Sequence, residues 1–439
     1  MTDIPLKLNR RQAAGALLAG AGLLGTEPWQ LFARDLGETP STPAGTDLSV
    51  GGKSERIWAV GRQTCAHRAG LMRDLMDSEE FDALTFSSGL YLKFAANFSG
   101  AFDGEGVCVV PRNGNPFLLL PAASANAWRY QASGHRVWTS DVTFLTSREK
   151  LEDVLAAKMM SAGLAKSRIG IEIGLSSLFK NLPGIRTEEA AHKIDRLRLI
   201  KSAEEVAVMR EAASLADWVQ SRYRENIRPG RLVGELDAAM IALGYQEAAQ
   251  RFPHADVTIP CWTLSGPISA SPHGAGTSFG NLSGARIELG HVLINNVYPS
   301  LDGLAVENER TWICGKPSRR QADLFEAVVA AQHAACEAVV AGNMIAAIDG
   351  AALTVFERYG FADMVHHRAG HGLGLGGHDE PIDMAFNTDL IPERMVTSVE
   401  PSLLEYGLGG FRIDDAVVAG ATPERLTRSP RDLKSQTIS

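Results

Sequence analysis

The amino-acid sequence predicts an α+β protein of two domains, a smaller N-terminal α/β domain followed by a larger C-terminal domain. With 439 residues, the chain is longer than a single hydrophobic core usually supports. Short apolar runs bounded by Gly, Pro, Ser and Asn are mixed with long segments of helical periodicity, which is typical of strands and covering helices. The helix-start pattern S-x-x-E at Ser202 follows residues 192–201, where we place the domain boundary.

The composition is that of an ordinary globular protein and excludes two functional classes. Apolar residues make up 45% and charged residues 21% of the chain. The net charge is −8 and the sequence has no basic stripe, which argues against a nucleic-acid partner. The uncharged stretch at residues 13–25 is shorter than the roughly 20 apolar residues that span a bilayer, so no membrane span is expected.

The N-terminus has the pattern of an export signal. Arg10 and Arg11 precede the short uncharged stretch 13–25. Paired arginines here resemble a bacterial twin-arginine signal, which exports folded proteins. We therefore predict a signal over residues 1–34, a flexible leader rich in Thr, Pro, Gly and Ser over 35–53, and a periplasmic or exported protein. Without that signal the protein would be cytoplasmic.

The first domain is predicted over residues 54–190. Helices are predicted at 62–76 and 148–162, and strands at 83–87, 106–111, 116–120 and 169–173. Asn113 and Gly114 between the second and third of these strands are a hairpin-turn signal. The sequence has no catalytic cluster in this half, so we expect it to support or cover a site in the second domain.

The second domain is predicted over residues 193–425, with a tail at 426–439. Ser202 and Glu205 have the form of a capping box, so a long helix should begin there. Further helices are predicted at 236–245 and 322–341, and strands at 257–264, 291–298, 311–314, 395–399 and 416–419.

The residues able to do chemistry gather in a turn-rich and glycine-rich stretch, 368–415. It contains His371 within GHGLG, His378, Glu400 before a proline, and Asp414 after Arg-Ile. Glycines let the backbone approach a small buried site closely. Histidine combined with carboxylates from separate segments suits a divalent metal ion, and it also suits metal-free acid–base chemistry. The pattern by itself leaves both alternatives open.

The order of these motifs resembles the pita-bread family, which includes methionine aminopeptidase, prolidase, aminopeptidase P and creatinase. The similar motifs are LRLIKSAEE at 197–205, SPHG at 271–274, the segment 303–311 ending in ENERT, GHGLG at 370–374 with its following histidine, EP at 400–401 and RIDD at 412–415. The resemblance implies a C-terminal pita-bread domain, preceded by a creatinase/prolidase-type N-terminal domain.

The resemblance also implies a metal site, with departures from the family pattern. Family peptidases hold two ions with Asp, Asp, His, Glu and Glu, and the corresponding residues here are Asn296, Glu307, His371, Glu400 and Asp414. Asn296 has lost a full negative charge and would bind a cation more weakly. Carboxylates that face one another without a cation would repel. We therefore predict one divalent ion held by His371 and Glu400 and completed by Glu307 and Asp414, with a second ion weak or absent.

A metal-free site is the alternative, because residues 295–311 also resemble creatinase, the branch that works without metal. That branch has Asn at the position of Asn296 and Glu at the position of Glu309. It transfers protons with a histidine at the position of His273. The resemblance thus makes His273, His378 and Glu309 the catalytic candidates, although Glu309 could merely pair with Arg310 or Arg412.

The function implied by the resemblance is hydrolysis of a C–N bond in a small molecule or short peptide. The substrate would be an Xaa-Pro peptide, another amide, or a creatine-like amidine. A non-catalytic binding protein and a lyase on the same fold are the alternatives, but titratable His273, His371 and His378 argue against pure binding. His366 and His367 are expected to be helix-end or solvent residues. The likeness to creatinase and prolidase also implies a homodimer.

Overall fold

The computed structural model describes residues 59–100, 106–134, 136–272, 274 and 280–438. The predicted export signal, the leader and His273 lie outside the described residues. In the N-terminal domain the elements are, in chain order, α1 (Arg62–Ser78), β1 (Ala83–Phe86), α2 (Gly89–Ala96), β2 (Val107–Pro111), β3 (Phe117–Pro121), α3 (Ala125–Ser133), β4 (Val142–Leu145), α4 (Leu151–Ser161), β5 (Arg168–Ile171), β6 (Arg186–Glu189) and α5 (Ala191–Leu197).

A mixed six-stranded sheet forms the centre of this domain, in the order β4-β3-β2-β1-β5-β6. The pairs β1–β2 and β2–β3 are antiparallel and the others are parallel. The predicted hairpin is confirmed: β2 and β3 flank Gly114, whose φ of 118° favours glycine. β1, β2 and most of β3 are buried because helices cover both faces of the sheet, which explains why their apolar runs were recognisable.

Five elements of this domain were not predicted, for physical reasons. α2, α3 and α5 are short, with eight, nine and seven residues, so their helical periodicity spans only about two turns. β4 contributes only one fully buried residue. β6 (RTEE) is a charged, partly exposed edge strand and has no apolar alternation.

In the C-terminal domain the elements are α6 (Ala203–Asn226), α7 (Val233–Arg251), β7 (Val257–Thr258), β8 (Cys261–Ser265), β9 (Val292–Val297), β10 (Ser300–Leu301), β11 (Leu304–Ala305), β12 (Asn308–Cys314), α8 (Arg319–Glu337), α9 (Ala346–Tyr359), β13 (Val396–Val399), β14 (Ser402–Glu405), β15 (Gly409–Arg412), β16 (Asp414–Val418), β17 (Glu424–Arg425) and β18 (Thr437–Ile438). The predicted capping box of Ser202 and Glu205 is present at the start of α6.

The main sheet of the C-terminal domain has the strand order β13-β16-β12-β9-β8, with β17 beside β16 and β18 beside β12. Alternate residues of its strands point to opposite faces. On β12, Trp312 and Cys314 pack with α6 and α7, whereas Ile313 packs with α8 and α9. Two helix pairs therefore cover the two faces, and the predicted α+β class with two domains is confirmed.

The predicted elements differ from the structure mainly at their ends, but some elements were not predicted: α9 and the short strands β10, β11, β14, β15, β17 and β18. The strand predicted over 257–264 is divided into β7 and β8, because Pro260 between them has no N–H for the ladder. β12 begins at Asn308, three residues before the predicted start at Thr311, and this places Glu309 within the sheet. Beyond residue 425, β18 pairs in parallel with β12, so this segment packs on the domain. Within the described part of the chain, no helix has both the length and the apolar character needed to cross a membrane.

Candidate metal centre

The register of the main sheet aligns four site residues in one row. Trp262 on β8 lies opposite Asn296 on β9, Asn296 lies opposite Glu309 on β12, and Glu309 lies opposite Asp414 on β16. Directly opposed residues of antiparallel strands project from the same face. Glu307 lies two residues before Glu309 and so projects toward the same face. The sheet therefore gathers an amide and three carboxylates into one buried place.

His371 and Glu400 complete this place from neighbouring segments. Glu400 directly follows β13, and Gly372 forms a bridge with Thr397 of β13. The Nε2 atom of His371 lies 3.4 Å from Oε1 of Glu400 and 3.7 Å from Oε1 of Glu307. Its Nδ1–H donates to the carbonyl of Gly372 at 2.9 Å, so the lone pair of Nε2 faces the two carboxylates.

The distances from Nε2 of His371 to each of the two carboxylates suit atoms that share a divalent ion. Ligand atoms about 2.0–2.2 Å from a common ion lie about 3–4 Å apart. Nε2 of His371 is buried and has no hydrogen-bond partner among the described residues. Burial lowers the pKa of His371, which keeps the imidazole neutral as a metal ligand must be. His371 thus has the spacing to share an ion with either carboxylate, and the three residues supply a suitable donor set.

A second acidic group consists of Glu309, Glu400 and Asp414, and one arginine dominates it. The carboxylate atoms of this group lie within 4.8 Å of one another. Arg412, which is only 3% exposed, contacts both oxygens of Glu309, with Nε 2.5 Å from Oε2 and Nη2 2.8 Å from Oε1. Its Nη1 lies 3.6 Å from Oε2 of Glu400. Trp262 lies against the guanidinium, with its ring centroid 5.6 Å from the central carbon.

The remaining polar atoms are only partly satisfied. The Asn296 amide donates to Oε2 of Glu307 at 3.1 Å, which leaves its own oxygen without a partner among the described residues. Oδ1 of Asp414 accepts from the hydroxyl of Ser398 at 2.9 Å and from the N–H of Val399 at 3.0 Å, and Oδ2 has no described partner. Buried oxygens without hydrogen bonds are costly, and a cation would satisfy them.

The pKa shifts of the buried carboxyl groups also indicate a site suited to a cation. Burial raises the pKa of Glu307 and Asp414, and the neighbouring carboxylates raise it further. Burial also raises the pKa of Glu309 to about 8, although Arg412 opposes this. Burial acts to raise the pKa of Glu400 as well, but Arg412 and then His371 outweigh it and hold that pKa below its usual value. Without a cation, the pKa values of three of the four carboxyl groups are therefore raised, which shifts these groups toward the protonated form.

A cavity opens onto this centre, and two further histidines line it. His378 is exposed, and its ring centroid lies 4.0 Å from that of His371. His367, predicted to be a helix-end or solvent residue, instead lines the cavity, and burial lowers its pKa to about 4. His366 is exposed, as expected. His367 lies in irregular backbone four residues before His371, where sequence spacing predicts no shared face, so the sequence could not place it at the cavity.

Two aromatic residues of the cavity were also missed. Trp262 and Tyr298 line it together with the acidic residues. Tyr298 follows Asn296 by two positions, so the alternation along β9 could have placed it on the same face. Trp262 belongs to a neighbouring strand, and only the register of the sheet places it there.

The described residues of the predicted site lie close together, but they form two groups instead of the single ligand set that was predicted. Glu307 and His371 group with His378, whereas Asp414 groups with Glu309 and Glu400. That Asp414 completes the His371 site stays a prediction, as does the catalytic role of Glu309.

Comparison with known proteins places the chain among peptidases. Residues 207–421 match metallopeptidase family M24. The chain is 31% identical over 271 residues to an Xaa-Pro dipeptidase of Pyrococcus furiosus, a match that covers 60% of this chain and 75% of that protein. Its fold is similar to dipeptidase PepE from Mycobacterium ulcerans (TM-score 0.73, 24% identity, 85% of this chain and 98% of that chain). It is also similar to a dipeptidase from Pyrococcus horikoshii OT3 (TM-score 0.72, 25% identity, 83% of this chain and 99% of that chain).

Proposed function

Because the chain belongs to metallopeptidase family M24 and is a peptide-bond hydrolase, we propose that it cleaves Xaa-Pro dipeptides with a divalent ion bound between Glu307, His371 and Glu400. The observation that carries this proposal is the approach of the His371 Nε2 atom to two buried carboxylates, at 3.4 and 3.7 Å. The pita-bread resemblance seen in the motifs is confirmed, and with it the hydrolase class over the binding-protein and lyase alternatives.

The residues of the site divide the work of hydrolysis. A divalent ion bound there would lower the pKa of a water and polarise the carbonyl of the substrate. His371 stays neutral through burial, and its Nδ1–H bond to Gly372 fixes the ring. Glu400 stays ionised, because Arg412 and His371 outweigh the effect of its burial. The ionised acidic residues would thereby balance the positive charge of the ion. Arg412 fixes the position of the Glu309 side chain.

The cavity walls suit a small substrate with an apolar ring. Trp262 and Tyr298 provide flat aromatic surface, and proline presents a compact apolar ring to such a surface. His378 and His367 provide titratable groups at the same cavity, able to orient the peptide or stabilise developing charge. His273, which lies outside the described residues, remains our candidate for proton transfer.

We further propose the cellular and quaternary setting from the sequence. The arginine pair at the N-terminus supports export through a twin-arginine signal to the periplasm. The likeness to prolidase and creatinase supports a homodimer. Light scattering that found a fully active monomer would contradict the dimer.

The experiment is an activity panel with protein loaded with Mn²⁺, Co²⁺ or Zn²⁺ in turn. The substrates are Ala-Pro, Ala-Ala and creatine, assayed with wild type and His371→Gln. We expect Ala-Pro to be cleaved fastest, and both chelation and His371→Gln to abolish the cleavage. Cleavage of Ala-Ala alone would reject the Xaa-Pro assignment. Undiminished activity on creatine after complete chelation would instead support the metal-free, creatinase-like mechanism.

A further inference from the structure

His378 and its neighbour Asp379 face opposite environments. His378 is exposed at the cavity, whereas Asp379 is 2% exposed. The N–H of Asp379 donates to the carbonyl of Gly372 at 2.9 Å, and the N–H of Gly372 donates to the carbonyl of Pro381 at 2.9 Å. The segment that carries His378 is thus paired with the segment that carries His371. Any group that fixes Asp379 consequently limits where the His378 ring can lie.

Arg198 is the group that fixes Asp379. Its Nε and Nη2 atoms donate to Oδ1 of Asp379 at 3.0 and 2.8 Å, and the N–H of Glu380 donates to the same oxygen at 2.9 Å. Arg198 directly follows α5, in the segment that joins the two domains. The side chains of Arg198 and Asp379 are 7% and 1% exposed. A buried guanidinium with a rigid fork of donors defines one geometry for its partner, which a flexible lysine would not do.

The other side of Arg198 is held by the N-terminal domain. Its Nη1 donates to Oδ1 of Asp195 at 2.7 Å, and the hydroxyl of Tyr91 on α2 donates to the same oxygen. The guanidinium carbon lies 5.0 Å from the centroid of the Tyr91 ring. Burial, followed by the hydrogen bond to Asp195, raises the pKa of Tyr91, so the phenol keeps the proton that it donates. A continuous chain of contacts therefore runs from α2 to the loop of His378.

We propose that Arg198 is a positioning residue for His378, and that Tyr91 extends this control to the N-terminal domain of the same chain. The inference rests on the proposed function, because that proposal assigns His378 to the substrate. Leu375, in the same loop, packs against the cores of both domains, which ties the loop to the domain interface a second time.

The test compares Arg198→Met and Tyr91→Phe with a matched control, Arg196→Met. Arg196 lies on α5 and also pairs with an aspartate of the C-terminal domain, Asp389, but these side chains are 35% and 39% exposed. Outer partners of a site residue typically contribute about 10–100-fold to activity. We expect Arg198→Met to lower kcat on Ala-Pro about 10–100-fold with unchanged metal content, Tyr91→Phe to lower it a few-fold, and Arg196→Met to leave it within about 2-fold.

A double-mutant cycle separates positioning from general damage. In a His378→Ala background, Arg198→Met should cause no further loss, because the residue that it positions is gone. Arg198→Lys, which keeps the charge without the fork, should recover part of the activity. Fully additive losses, or loss of the bound ion in Arg198→Met, would overturn the proposal.

A second readout needs no substrate. The imidazole ¹⁵N–¹H resonances of His378, assigned by comparison with His378→Ala, should shift in folded Arg198→Met and stay in place in Arg196→Met. If the wild type cleaves no Xaa-Pro dipeptide, the proposed function fails and these resonances alone decide the positioning. Unchanged His378 resonances in Arg198→Met would overturn it.

Discussion

Replacing Glu309 by Gln should destabilise the metal-loaded protein without removing its ion. Glu309 lies within the row of site residues, but both of its oxygens contact Arg412. A divalent ion beside Glu400 would offset the repulsion between the carboxylates of Glu400 and Glu309. In the loaded protein Glu309 is therefore ionised and pairs with the guanidinium of Arg412. Glu309 therefore balances the charge of Arg412, and it is not a ligand of the ion proposed between His371 and Glu307.

The size of the effect follows from the distances. Unit charges 2.8 Å apart, the separation of Arg412 Nη2 from Glu309 Oε1, attract by roughly 6 kcal/mol at an effective dielectric constant of about 20. Removing one partner of a buried pair costs about 3–5 kcal/mol. Because Glu400 still lies 3.6 Å from Arg412, we expect the lower end, about 3 kcal/mol. For a domain of this size that is roughly 6–12 °C in Tm.

The assay is elemental analysis and thermal unfolding of the loaded proteins, with Glu400→Gln as the matched control. Both substitutions are isosteric, and both affect a carboxylate beside Arg412. Wild type and Glu309→Gln should each hold one ion per chain, and Glu400→Gln should hold none. Two ions in wild type and one in Glu309→Gln would show that Glu309 is a ligand of a second ion, and this would refute the reasoning.

Three other outcomes are expected. In the metal-free protein the stability should fall by at least roughly 1–2 kcal/mol between pH 6.5 and 8, because folded Glu309, with a pKa of about 8, keeps a proton that the unfolded chain has already released. The raised pKa values of Glu307 and Asp414 act in the same direction; urea titrations across this range check the fall, and metal loading should flatten the slope. His367→Ala should lower kcat/KM about 10-fold through its place in the cavity, whereas His366→Ala, at an exposed position, should change it by less than about 2-fold. Arg10→Lys combined with Arg11→Lys should retain the protein in the cytoplasm, and unchanged fractionation of that variant would reject the export signal.

The elements that the sequence predicted well are those whose pattern has a single physical cause. The capping box at Ser202 requires only four residues, and it is present as expected. The three buried strands β1 to β3 are short apolar runs because helices cover both faces of their sheet. α2, in contrast, is too short for a reliable period, yet it carries Tyr91 and contributes to the domain interface.

The site was predictable in membership but not in arrangement. The motifs brought Glu307, His371 and Glu400 together, and the structure places both carboxylates within 3.7 Å of Nε2 of His371. The partner of Glu309 could not be assigned, because the choice between Arg310 and Arg412 depends on which face of β12 each occupies. The structure resolves it: Arg310 bonds to Asp415 on the opposite face.

Asn296, which lacks the charge of the family ligand, and Glu309 are best understood together, because the sheet places them side by side. Asn296 lacks a charge on β9, and Glu309, directly opposite on β12, supplies one. The row carries two carboxylates, Glu309 and Asp414, and the one opposite Asn296 is bound to Arg412. The charge beside Asn296 is thus paired with a guanidinium and is not available to an ion. This arrangement suits a single ion beside His371. Neither Asn296 nor Glu309 considered alone would lead to that inference.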